Sequence, residues 1–82
     1  MLKSTELREA AYGWMKAQPS GSHFGHADAY KFLELSFPDE CSQRGDAAHE
    51  PRYKNDARWA AQDALRDQII KKTAIRGRFQ RV

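Results

Sequence analysis

Apolar positions recur at helical spacing in three stretches of this 82-residue chain, then give way to an alternating pattern near the C-terminus. Leu7, Ala10, Ala11, Trp14 and Met15 form the buried stripe of a helix predicted over 4–18. Ser4 or Thr5 can cap it by accepting backbone N–H hydrogen bonds, and Glu6 then lies at the positive end of the helix dipole. Gly13 costs this helix some stability, and Pro19 with Gly21 ends it. Ser22 to Phe24 reads as a short strand or extended link. A second helix is predicted over 26–37, with Ala29, Tyr30, Leu33 and Phe37 on one face, Phe32 beside them, and Pro38 as its stop. Residues 38–50 are polar and aperiodic, a long loop for so small a chain that is either mobile or carries a short turn.

Pro51 suits the first position of a third helix, where its missing N–H is no loss. On a wheel of the helix predicted over 51–68, Tyr53, Ala57, Ala60, Ala61, Ala64 and Gln68 share one face. The opposite face collects Arg52, Asn55, Trp59, Gln62, Asp63 and Arg66, with Arg58 at its edge. Ile69 and Ile70 then open a β-type pattern, Arg76-Gly77 supplies a turn, and Arg78 to Val82 returns as a second strand. Alternation puts Phe79 and Arg81 on one face of it and Gln80 and Val82 on the other. The order predicts an α+β winged helix in one domain over 1–82: three helices, a C-terminal β-hairpin wing over 69–82, and room for a short third strand near 22–24. A chain of this size has one modest core.

Charge changes the picture because it is unevenly spread. Residues 51–82 carry nine Lys and Arg against three Asp, a net +6, whereas residues 1–50 carry −3. A local basic surface steers polyanions even when the whole molecule is nearly balanced. No apolar run approaches the roughly 20 residues that span a bilayer, so no membrane partner is expected. The charged N-terminus has no apolar stretch of the kind a signal peptide needs. The single cysteine, Cys41, excludes an internal disulfide and fits a reducing, cytoplasmic setting.

The run PRYKNDARWAAQDALRDQIIKKTAIRGRFQRV resembles the winged-helix domain at the N-terminus of Mrr-type restriction endonucleases and of some HNH-nuclease-associated proteins. The resemblance lies in Arg58-Trp59-Ala60, the helix exit Gln68-Ile69-Ile70 and the hairpin Arg76-Gly77-Arg78-Phe79, and covers about the last 30 residues. Gln68 stands where that pattern has glycine, and Ala64 where it has a larger apolar residue. The resemblance implies DNA binding that delivers a nuclease domain, in cis or in trans, sometimes to modified DNA. A Met start and an end directly after the hairpin suggest a stand-alone module or a fragment of a longer protein.

The residues themselves point to double-stranded DNA. Arg reads guanine, and Asn or Gln reads adenine, through paired hydrogen bonds in the major groove. Arg52, Lys54, Asn55, Arg58, Gln62 and Arg66 are the candidates on the helix, with Asn55 and Gln62 the foremost base readers. Lys71, Lys72, Arg76 and Arg78, with Arg81, are the candidates for phosphate contacts along the wing, which set affinity rather than sequence. With about four to six phosphates neutralised, log K is expected to fall with log salt at a slope of roughly −4 to −5. Trp59 divides the evidence: the wheel puts it opposite the alanines, whereas the stabilisation gained by burying an indole favours the core. Its exposure beside Arg58 would be required for a single-strand or RNA reading through stacking.

The bland alternatives are a solvated helix face and an edge hairpin kept soluble by charge. The competing function is a protein-interaction winged helix with no nucleic-acid partner. His23, His26, Cys41 and His49 match no zinc spacing, Cys41 with a histidine lacks an orienting third group, and no phosphate-cradling glycine loop is present. No catalysis, cofactor, metal or small-molecule substrate is therefore expected.

Overall fold

The computed structural model describes residues 4–41 and 52–82, with the side chains of 4, 5 and 52 outside that description. The cap at Ser4 or Thr5, Pro51, His49, the side chain of Arg52 and most of the 38–50 loop thus lie outside the described residues. The elements are α1 (Ser4–Lys16), β1 (His23–Gly25), α2 (His26–Ser36), α3 (Pro38–Cys41), α4 (Arg52–Arg66), β2 (Ile70–Lys72) and β3 (Arg78–Arg81). This is a small α+β domain whose order and three-stranded antiparallel sheet are compatible with a winged helix. The predicted stretch 38–50 departs from a plain loop at its start, where Pro38 opens the one-turn α3. Proline at a first helical position loses no hydrogen bond, so one residue ends α2 and begins α3.

The core forms where the α1 stripe meets the α4 stripe. Leu7, Ala11 and Met15 are buried against Ala57, Ala60, Ala61 and Ala64, all four of these alanines being fully covered. Four alanines on one face let α4 lie close on α1. α2 closes the core with Ala29 and Leu33, both fully buried. A buried side chain such as Leu33 or Ile70 contributes about 1.5–3 kcal/mol. Trp14 joins helices to sheet, meeting Phe24 edge-on at 5.2 Å and stacking on Phe32 at 5.8 Å.

The sheet runs β1-β3-β2 with Phe24 opposite Phe79, Gly25 opposite Arg78, and Lys72 opposite Phe79. Opposed residues share a face and neighbours along a strand alternate. Ile70, Lys72, Phe79 and Phe24 therefore belong to the helix-facing side, while Lys71, opposite Gln80, belongs to the other. Arg81 ties sheet to helix by donating from Nε to the Lys16 carbonyl at 3.1 Å and from Nη1 to the Ile69 carbonyl at 3.2 Å.

Two backbone features position the wing. The C-terminus of α4 closes with Ile69 N–H on the Ala64 carbonyl at 2.9 Å and Gln68 N–H on the Leu65 carbonyl at 3.1 Å. This is a Schellman motif with Gln68 in the left-handed position at φ 61°. Gln68, expected on the buried face, is instead exposed, because the helix has already ended at Arg66. Gly25 starts α2, where its N–H donates to Asp28 Oδ2 at 2.8 Å. A Cβ there would lie 3.0 Å from both the Gly77 carbonyl oxygen and Arg78 Cδ, so any larger residue would require the wing to shift by a few tenths of an ångström. Among the described residues no helix is long and apolar enough to cross a membrane.

Candidate nucleic-acid interface

The outward face of α4 divides into two parts that the wheel had merged. Asn55, Arg58, Trp59 and Gln62 line a shallow open trough of about 470 Å³. Asp63 and Arg66 turn toward α1. There Arg8 donates from Nε and Nη2 to the two Asp63 carboxylate oxygens at 2.7 and 2.8 Å. Tyr12 donates to Asp67 at 2.6 Å, and Arg66 donates from Nε to Asp67 at 3.1 Å and lies 3.6 Å from Asp63. The Arg8 guanidinium holds Asp63 below the usual carboxylate range, and Arg66 followed by Tyr12 does so for Asp67. Arg66 is thus part of an ion-pair network joining α4 to α1.

Trp59 is 57% exposed, which corrects the expectation that its indole is core. Small residues already fill the α1–α4 contact, and an indole has no space in a seam of alanines. Its ring is covered by the Arg8 guanidinium, 5.5 Å from the centroid, which Asp63 holds in a bidentate fork. On the other side of the trough, Arg58 donates from Nε to the Tyr30 hydroxyl at 3.1 Å, and the Lys54 ammonium lies 5.5 Å over the Tyr30 ring.

Gln62 also lines a second cleft, of about 230 Å³, with His26, Lys72, Arg76, Arg78 and Phe79 among its walls. The α4 trough and the wing are therefore continuous through one side chain. Lys72 borders this cleft from the helix-facing side that it shares with Phe79, and Arg78 does so from the first position of β3, although alternation gives it the side of Lys71. The Arg78 guanidinium is 3.4 Å from Asp28 and so is shared between the cleft and the start of α2. His26 packs edge-on against Phe79 at 5.0 Å, and its Nδ1 is buried without a hydrogen-bond partner among the described residues. Burial, then the Arg58 cation, pushes the imidazole pKa below its ordinary value.

The predicted contact residues therefore separate. Lys54, Asn55, Arg58 and Gln62 gather on α4, and Lys72, Arg76 and Arg78 stand beside them. Lys71, Arg66 and Arg81 are directed elsewhere by the register, by carboxylates and by backbone carbonyls. Arg8 is the neighbour of this surface that sequence reasoning missed. The wheel had turned Trp59 outward, but the general tendency of indoles to be buried outweighed it. No local signal pointed to Arg8, which reaches Asp63 across 55 residues of chain.

Other chemistry at these residues is limited. Cys41 is buried, and burial first, with Glu34 and Glu40 nearby, pushes its thiol up to about 11. Such a thiol carries little nucleophilic thiolate near neutral pH. Tyr53 donates to Glu34, and burial together with that bond raises its hydroxyl to about 12. Among the described residues no three His, Cys, Asp or Glu side chains come together as metal ligands.

The class defined by this geometry is a winged-helix-like α+β domain with a mixed polar and aromatic trough on α4 and a basic wing cleft beside it. No protein-family model, curated protein or solved structure matches the chain.

Proposed function

We propose that this chain is a DNA-binding module, non-catalytic by itself, that reads duplex DNA through α4 and a basic wing. The observation that carries this reading is the continuity at Gln62. Base-reading side chains on α4 and the cations Lys72, Arg76 and Arg78 on the wing border adjoining clefts. A helix in the major groove, with its flanking hairpin on the phosphates, needs that juxtaposition. Asn55 and Gln62 are the base readers, Lys54 and the wing cations the phosphate contacts, and Arg58 flanks the readers. The setting for such a module is a cytoplasm where it meets chromosomal DNA. A nuclease domain, in cis or in trans, is the partner that the C-terminal resemblance implies.

The test is titration into labelled random-sequence duplex DNA at two salt concentrations. Micromolar binding that collapses at the higher salt supports the reading. Absence of binding at low salt overturns it and leaves the protein-interaction function in its place.

A further inference from the structure

The exposed indole of Trp59 has no part in the core, and the reading above gives it no task. It lies on the α4 strip with Asn55 four residues before it and Gln62 three residues after, so all three share one side of the helix. Its ring is held on one side by Arg8, itself fixed by two hydrogen bonds to Asp63. The carboxylate cancels most of the guanidinium charge, so the assembly presents a pre-positioned apolar surface rather than a phosphate-binding cation. Pre-positioning also lowers the side-chain entropy lost when a ligand is met.

A helix strip of this kind in the major groove faces base edges that are polar except at one group, the C5-methyl of thymine. Setting an indole against donors and acceptors that it cannot satisfy leaves them desolvated, which disfavours binding. Setting it against the methyl group removes apolar surface from water on both partners. Building on the proposed duplex reading, we infer that Trp59 is a specificity-determining residue. Its indole takes the methyl group of a thymine, while Asn55 and Gln62 hydrogen-bond neighbouring base edges.

The test begins with enrichment of bound sequences from a random 20-base-pair duplex library. The enriched duplex is then remade with deoxyuridine in place of each thymine in turn, which removes only the methyl group. Wild-type protein should lose roughly threefold to fivefold in affinity at one thymine position, the effect of one apolar methyl contact. Trp59→Ala should be indifferent to the same replacement, and Trp59→Phe should keep part of the discrimination. Thermal melts of both variants establish that they are folded, as the exposure of Trp59 leads one to expect.

Three outcomes would overturn the inference while leaving duplex binding intact: enrichment without a preferred thymine, a neutral deoxyuridine scan, or equal sensitivity in Trp59→Ala. Binding confined to single-stranded DNA would overturn both readings and assign Trp59 to base stacking.

Discussion

On the proposed duplex reading, the dependence of affinity on salt should separate cations that meet phosphate from cations the fold employs elsewhere. Arg66 is engaged with Asp63 and Asp67, Arg81 with backbone carbonyls, and Lys71 faces away from α4. On that reading, Lys54, Lys72, Arg76 and Arg78 are the phosphate partners, Arg78 holding Asp28 more loosely, at 3.4 Å, than Arg66 holds Asp67, at 3.1 Å. Four neutralised phosphates correspond to a log–log slope of about −3.6, shallower than the roughly −4 to −5 expected from the sequence. A rise from about 50 to about 200 mM salt would then weaken binding roughly 150-fold. The double substitution Lys72→Ala/Arg76→Ala removes two contacts, so the slope should fall to about −1.8 and the same rise should cost only about 12-fold.

Arg66→Ala and Lys71→Ala should each leave the slope within about 0.3 of wild type, since neither displaces a counterion from the duplex. Fluorescence anisotropy with one labelled duplex at five or six salt concentrations measures all four slopes. A slope reduced by about 0.9 in Arg66→Ala would refute the reasoning. So would an unchanged slope in the double variant, because the wing cleft would then not be the place where phosphate sits.

Three further substitutions probe the supports of this surface. Gln68→Gly relieves a left-handed residue, a strain of about 1–2 kcal/mol, and regains less than that after the entropy of an unfolded glycine is counted. A net gain of roughly 0.5–1 kcal/mol should raise the melting temperature by about 3–6 °C with DNA affinity unchanged. Gly25→Ala forces a methyl group to within 3.0 Å of the Gly77 carbonyl oxygen; overpacking of this kind costs about 1–3 kcal/mol, and denaturant titration should show the loss. Asp63→Asn probes acid stability. Because Arg8 depresses the Asp63 pKa in the folded state, this pair stabilises the fold above the ordinary carboxylate pKa and loses that effect as pH falls through the lowered value. Wild type should therefore lose more stability than Asp63→Asn between about pH 5 and pH 2, as followed by circular dichroism.

Much of the candidate surface is legible in the sequence because its helix is long and its stripe is clean. A run of alanines at helical spacing identifies the buried face of α4 whatever lies against it, and the opposite face follows. The hairpin was legible for a similar reason: alternation around Arg76-Gly77 leaves few other ways to bury Phe79. What the wheel could not show was which outward residues α1 would claim. Asp63 and Arg66 share the outward side of the helical wheel with the trough residues, and only the position of Arg8 and Tyr12 removes them.

By itself the sequence determined the element order, the alanine seam, the turn glycines and the concentration of positive charge in the C-terminal half. These depend on periodicity and residue type, which act over a few neighbouring residues. The tertiary structure decided the rest. Strand register sent Lys72 toward α4 and Lys71 away from it, because adjacent residues of a strand face opposite ways. The close α1–α4 packing left no place for an indole and put Trp59 in solvent under Arg8. The second outcome is set by contacts such as Arg8 with Asp63, 55 positions apart, and no local pattern encodes which cation finds a carboxylate first.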